Sequence, residues 1–153
     1  MVRGTIHAVD YEQWLPCSPA ELFAFFSDPA NLARLSPPFV GFRLLATSTP
    51  ALAAGTRLDY RLSLHGIPIR WQSAITLWEP PRRFVDVQTR GPYRTWEHTH
   101  DFEPSGNGTL VRDRVRYALP FGALGELVAG RWVARDVAAI FAFRRVRLAE
   151  LFG

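Results

Sequence analysis

His98 and His100 stand two residues apart in the run YRTWEHTHDFEP, residues 93–104. On a strand, that spacing puts both imidazoles on one face. Three chemistries use such a pair: metal ligation, general acid–base catalysis, and polar recognition inside an apolar wall. A metal site needs three or four converging ligands. Asp113 offers a third, with no evident fourth and no second shell, so neither a metal nor a cofactor is expected. Cys17 is the only cysteine, which excludes a cysteine zinc cluster and an intramolecular disulfide. The catalytic reading makes His100 a general base oriented by Asp113, acting on an enolisable, polyketide-like substrate. No nucleophile motif, phosphate loop or nucleotide fingerprint accompanies it.

The direction of these side chains follows from the turns. Ser105-Gly106-Asn107-Gly108 closes a hairpin that sets Phe102 opposite Val111, His100 opposite Asp113, His98 opposite Val115 and Trp96 opposite Tyr117. The alternate face sets Arg112, Arg114 and Arg116 against Glu97, Thr99, Asp101 and Glu103, an exposed charge pairing of modest worth. His65-Gly66 closes a second hairpin, with Leu64 facing Ile67, Leu62 facing Ile69 and Tyr60 facing Trp71. Leu58, Ser73, Ile75 and Leu77 continue its inner face. For strand 83–89 two counts disagree. Counting from Pro80-Pro81 turns Phe84, Asp86 and Gln88 inward, whereas counting from Gly91-Pro92 turns Val85 and Val87 inward. A bulge or a three-residue turn would reconcile them, and Asp86 and Gln88 are taken as inward.

The elements that carry these residues are readable in outline. Residues 5–15 read as a strand. Ser18-Pro19-Ala20-Glu21 is a capping box with Pro at the first helical position, opening a helix over LFAFF. Asp28-Pro29 opens a second short helix, ANLARL, which stops before Pro37-Pro38. Strand-like runs follow at 39–47, 56–64, 67–78, 83–89, 94–103 and 109–118, forming an antiparallel meander. Beyond Pro120 the period changes. Val133, Val137, Ile140, Phe141, Leu148 and Leu151 recur at helical spacing, so a long C-terminal helix must bury that stripe against the sheet. Arg144 falls beside the stripe, where it reads either as a buried structural partner or snorkelling side chain, or as part of the polar end of a cavity. A bent sheet around one helix has a concave face, and the inward polar groups among aromatics predict a cavity there.

At 153 residues and 48% hydrophobic, the chain has the size and composition of one globular domain. The net charge is +4 and every basic residue is arginine, but the arginines are scattered from Arg3 to Arg147. That spread argues against a nucleic-acid face. MVRGTIHAVD lacks the apolar core of a signal peptide and no run is long enough to span a bilayer, so a cytoplasmic location is expected. The oligomeric state is not encoded in any motif.

The order of elements, with SPAELFAFFSDPANLARLSPP, RFVDVQTRGPYRTWEHTHDFEP, VRDRVRYALPFGALG and IFAFRRVRLAELF, resembles the helix-grip fold of the SRPBCC superfamily. That superfamily includes START domains, polyketide cyclases and pollen-allergen-like carriers. The chain is most similar to small bacterial ligand-binding members, and the resemblance spans nearly its whole length. It implies an α+β fold: about seven antiparallel strands wrapped around the C-terminal helix, with two short helices after the first strand. It also implies a deep, largely apolar pocket, in which relatives bind lipids, polyketides, quinones or plant hormones. It supplies no shared catalytic set. The residues expected to face a hydrophobic small molecule are Tyr60, Trp71, Asp86, Gln88, Trp96, His98, His100, Asp113, Tyr117, Phe121, Phe141 and Arg144. Segment 119–125 reads either as the entrance, with Phe121 and Leu124 as apolar plugs, or as an ordinary lead-in to the long helix. A carrier or sensor, an enzyme of the cyclase/dehydrase type, and a protein-interaction adaptor are the three functional classes in play.

Overall fold

The capping box forms at Ser18: the Glu21 N–H donates to Ser18 Oγ at 3.2 Å, and the Ser18 N–H donates to Glu21 Oε2 at 3.3 Å. In the computed structural model, which describes residues 5–153, this cap starts α1 (Pro19–Phe26) directly after β1 (His7–Leu15). Residues 1–4 lie outside the described chain, and with them Arg3 and the start of the N-terminal stretch. Asp28 Oδ1 accepts from the Ala30 N–H and opens α2 (Ala30–Arg34). A single 3-10 turn, Pro38–Val40, then occupies part of the span expected to be strand, so β2 is only Arg43–Thr47. Pro37 and Pro38 remove two backbone donors there, and Gly41 takes a left-handed φ of 53° that ends the turn. Its missing Cβ matters as well, because a Cβ would stand 2.7 Å from that of Ser63.

Five strands follow: β3 (Arg57–Leu64), β4 (Ile67–Glu79), β5 (Arg83–Arg90), β6 (Thr95–Ser105) and β7 (Gly108–Ala118). The sheet is seven-stranded and antiparallel, in the order β1-β7-β6-β5-β4-β3-β2. It curves around α3 (Gly122–Phe152), the long C-terminal helix, giving the expected α+β helix-grip architecture. Both hairpins keep the register read from their turns: Tyr60 pairs with Trp71 and Leu64 with Ile67, while His100 pairs with Asp113 and Trp96 with Tyr117.

Register breaks in β4 settle the disputed strand. The β4–β5 ladder shifts between Gln72 and Ser73 and again between Ile75 and Leu77. The second shift reverses the alternation, since each extra residue flips all later side chains to the other face. Leu77, expected inside, therefore pairs with Val85 on the outer face, and Trp78 takes its place opposite Phe84. Across β5 and β6, Phe84 pairs with His100 and Asp86 with His98, so both point inward.

The core has two parts. One gathers α1, β6 and the end of α3 around Leu22, Phe23, Phe84, Phe102 and Leu148. The other joins β7 to the middle of α3 through Val115, Tyr117, Leu119, Val137 and Phe141. Phe121 has a left-handed φ of 65° and is 84% exposed. Leu119 sinks into the core while the chain reverses at Phe121 and throws its ring into solvent. A Cβ at Gly125 would overlap the Pro120 carbonyl oxygen, so the close approach there demands glycine.

Candidate functional site

The inner faces of β3 and β4 are apolar at their outer ends and polar where β5 and β6 take over. Leu58, Tyr60, Leu62, Ile69, Trp71 and Ile75 from the hairpin line one side of a cavity of about 220 Å³. Val133, Asp136, Ile140 and Arg144, three or four residues apart on α3, line another. Phe26, Leu32, Leu35, Val40 and Phe42 cover it from α1, α2 and the turn after them. Sequence reasoning missed this cover, because helices this short carry no readable period. At the hairpin tip His65 stacks on Phe39 and shares hydrogen bonds of 3.0 Å with both carboxylate oxygens of Asp136, tying the hairpin to α3.

Tyr60 and Trp71 line the cavity as expected, and Asp86, Trp96, His98, His100 and Arg144 form its polar end beneath β5 and β6. Five other expected site residues, Asp113 among them, stand apart from it. Gln88 is a clip for the β5–β6 loop: its Nε2 donates to the Tyr93 carbonyl at 2.7 Å and its Oε1 accepts from the Tyr93 N–H at 3.1 Å. Tyr117 is buried among His7, Tyr93 and Trp96. Phe141 is sandwiched between Tyr11, stacked at 4.4 Å, and the edge of His98. Phe121 and Leu124, expected as plugs, project into solvent and touch no part of the cavity.

Two histidine–carboxylate pairs close the cavity, and they are crossed relative to the strand register. His98 Nε2–H donates to Asp113 Oδ1 at 2.7 Å, and His100 Nε2–H donates to Asp86 Oδ2 at 2.7 Å. An ionised carboxylate only accepts, so both ring nitrogens are the donors. Each bond is thus diagonal across its ladder. Asp113 lies directly opposite His100, as read from the hairpin, but is 3.5 Å from its Nδ1, too far to orient it. Asp86 is the residue that orients His100, which corrects the expected His100–Asp113 dyad. The imidazoles stack on each other at 3.6 Å, and His100 stacks on Phe84 at 4.0 Å. Arg144, buried like Asp113, donates from Nη1 to Asp113 Oδ1 at 3.3 Å and lies over the Phe141 ring. Two buried atoms have no partner among the described residues, His100 Nδ1 and Arg144 Nε.

The electrostatics follow from this enclosure. Burial, reinforced by neighbouring His98, pushes His100 down from 6.5 to about 4 despite its bond to Asp86, so it is neutral at physiological pH. Burial alone would raise Asp113. The hydrogen bond from His98 and the Arg144 charge overcome it and hold Asp113 well below the usual carboxylate range. Asp86 is balanced in the same way, with burial opposed chiefly by His100, and also ends lowered. Its side chain keeps 22% of its surface, open to the cavity. Asp113 instead borders a second space of about 250 Å³ between β1, β7 and α3, lined also by Tyr11, Phe141 and Leu148. Arg144 lines both spaces.

Asp86, His98 and His100 bring possible ligand atoms within 4.8 Å of one another. Each histidine already spends Nε2 on a carboxylate, and the Arg144 guanidinium holds the neighbouring place of positive charge. Zinc or nickel is therefore expected to leave the melting temperature unchanged. A metal-dependent rise that His98→Ala removes would assign a metal site to this cluster instead.

A family model described as polyketide cyclase / dehydrase and lipid transport matches residues 7–152. Among solved structures, the Thermus thermophilus protein TTHA0849 is 21% identical, with 93% of this chain and 97% of that chain covered at a TM-score of 0.70. Protein CV1439 of Chromobacterium violaceum is 15% identical, covering 95% and 97%, at a TM-score of 0.74. A Thalictrum flavum norcoclaurine synthase point mutant, in complex with a transition-state analogue, is 14% identical, covering 99% and 96%, at 0.71. At these identities the likeness is one of fold. No curated protein is significantly similar in sequence.

Proposed function

We propose that this chain, which belongs to the polyketide cyclase/dehydrase and lipid-transport family, binds or carries a hydrophobic small molecule with a polar end. A lipid, a quinone or a polyketide-like compound fits that description. The observation that carries the reading is an apolar cavity that ends on an ionised carboxylate, Asp86, beside buried Arg144. Apolar walls supply the affinity, and a few fixed polar groups set orientation. Asp86 accepts a hydroxyl or amide donor, while Arg144 faces carbonyl or acidic oxygen.

The test is mass spectrometry of ligand released from natively purified protein, with Leu62→Trp, which fills the apolar side, as control. An apolar molecule bearing a hydrogen-bonding head, lost from Leu62→Trp, is the expected result. Protein that copurifies with nothing and takes up no quinone or fatty acid would sink the proposal.

A second reading, as a cyclase/dehydrase-like enzyme, is favoured by one observation: Asp86 opens on the cavity while His100 holds it from behind. Asp86 would take a proton from an enolisable substrate and His100 would position it. Turnover abolished in Asp86→Asn with ligand affinity preserved separates this reading from a carrier.

A further inference from the structure

A surface helix sets charged residues opposite its buried stripe. α3 does not. Val137, Phe141 and Leu148 are buried against the sheet, yet the opposite side exposes Leu124, Leu127, Val128, Trp132 and Val146. Leu127 is 84% exposed and Trp132 71%. The first four follow one another at spacings of one to four, with Phe121 at the head of the row. From Phe121 to Ala149 the exposed charged positions are Arg131, Arg135 and Arg145, and none is a carboxylate. The acidic residues of this stretch, Glu126 and Asp136, are drawn to the flanks by His7 and His65. Arg131 and Arg135 make no ion pair among the described residues.

We propose that this outer face of α3 docks onto an anionic lipid surface. Leu127, Val128 and Trp132 enter the boundary between headgroups and acyl chains, and Arg131 and Arg135 meet the headgroup phosphates. Charge decides the occupant. A two-fold contact with a second copy would set this basic face against itself, and its one exposed carboxylate, Glu150 at the far end of the helix, is already paired with Arg147. A nucleic acid would leave the leucines and Trp132 without apolar partners. An anionic bilayer matches both halves of the pattern, apolar side chains below and phosphate beside the arginines. The helix is not a span: among the described residues, none is long and apolar enough to cross a membrane. The inference stands on the surface of α3 and is independent of what fills the cavity.

The experiment is cosedimentation of the full chain with vesicles of phosphatidylcholine alone, or mixed with phosphatidylglycerol. Binding to the mixed vesicles that weakens with added salt is expected, with little binding to neutral ones. Arg131→Glu with Arg135→Glu, and separately Leu127→Glu with Trp132→Glu, should each weaken binding about tenfold or more. All four side chains are exposed, so the melting temperature should not move, and it serves as the folding control. Equal binding to both vesicle types, no binding, or variants that bind like the parent would overturn the proposal. So would a dimer in sedimentation equilibrium that Leu127→Glu with Trp132→Glu dissociates, which would assign the face to a second copy.

Discussion

Arg144→Met should destabilise the fold by roughly 3–5 kcal/mol, the range for breaking a buried ion pair from one side. The loss arises from what remains rather than from what is removed. Asp113 would stay ionised in a site where its side chain is only 8% exposed, with His98 as its one hydrogen-bond donor. Asp113→Leu should cost a similar amount for the opposite reason, leaving a guanidinium with an already unpartnered Nε. The double variant, Asp113→Leu with Arg144→Met, should recover most of the loss. It removes both charges and leaves only the His98 Nε2–H unsatisfied, worth about 1–3 kcal/mol. Urea melts of the four proteins measure the coupling, and strictly additive losses would show that these groups act independently.

That pair also marks where sequence reading stops. Tight hairpins with turn-type residues, His65-Gly66 and Ser105–Gly108, propagate register over whole strands, so Tyr60 opposite Trp71 and His100 opposite Asp113 followed directly. The stripe on α3 was legible because helical spacing is periodic, and Arg144 was placed with it. Register, however, names the neighbour and not the hydrogen-bond partner. With the rings of His98 and His100 stacked, each Nε2 reaches a diagonal carboxylate, and that tilt depends on Phe84 and Phe141 packing on the outer sides of the stack. The bulge between Ile75 and Leu77 has no glycine or proline to announce it, which hid the exchange of Leu77 for Trp78. The left-handed φ at Phe121 is equally silent, since nothing in the residue type favours it. The cover formed by Leu32, Leu35, Val40 and Phe42 depends on where short helices come to rest, a tertiary outcome.

Stability should fall steeply as pH drops from 6.5 toward about 4, with His100 as the principal cause. In the unfolded chain this histidine takes up a proton near 6.5; in the fold, burial and His98 delay uptake to about 4. Between those values the unfolded state binds more protons, so stability rises with pH. The contribution is complete above 6.5 and lost as pH falls through the window, for a total on the order of 3 kcal/mol. Below the window Asp113 acts with the same sign: its depressed folded value adds stability above the ordinary carboxylate range, which is lost on further acidification. Chemical denaturation at a series of pH values measures the slope. His100→Leu removes the titrating ring and keeps the apolar stacking on Phe84, while Asp86, open to the cavity, takes water as its donor. The variant should lose the rise with pH across this window, and because the burial of Asp86 is then opposed less, any slope that remains should have the opposite sign. A slope as steep as the parent's would transfer the effect to another group and remove the case for a neutral His100. A neutral His100 at pH 7 in turn keeps Asp86 ionised and accepting, so a ligand that donates a hydrogen bond to Asp86 should bind with constant affinity until the histidine begins to charge.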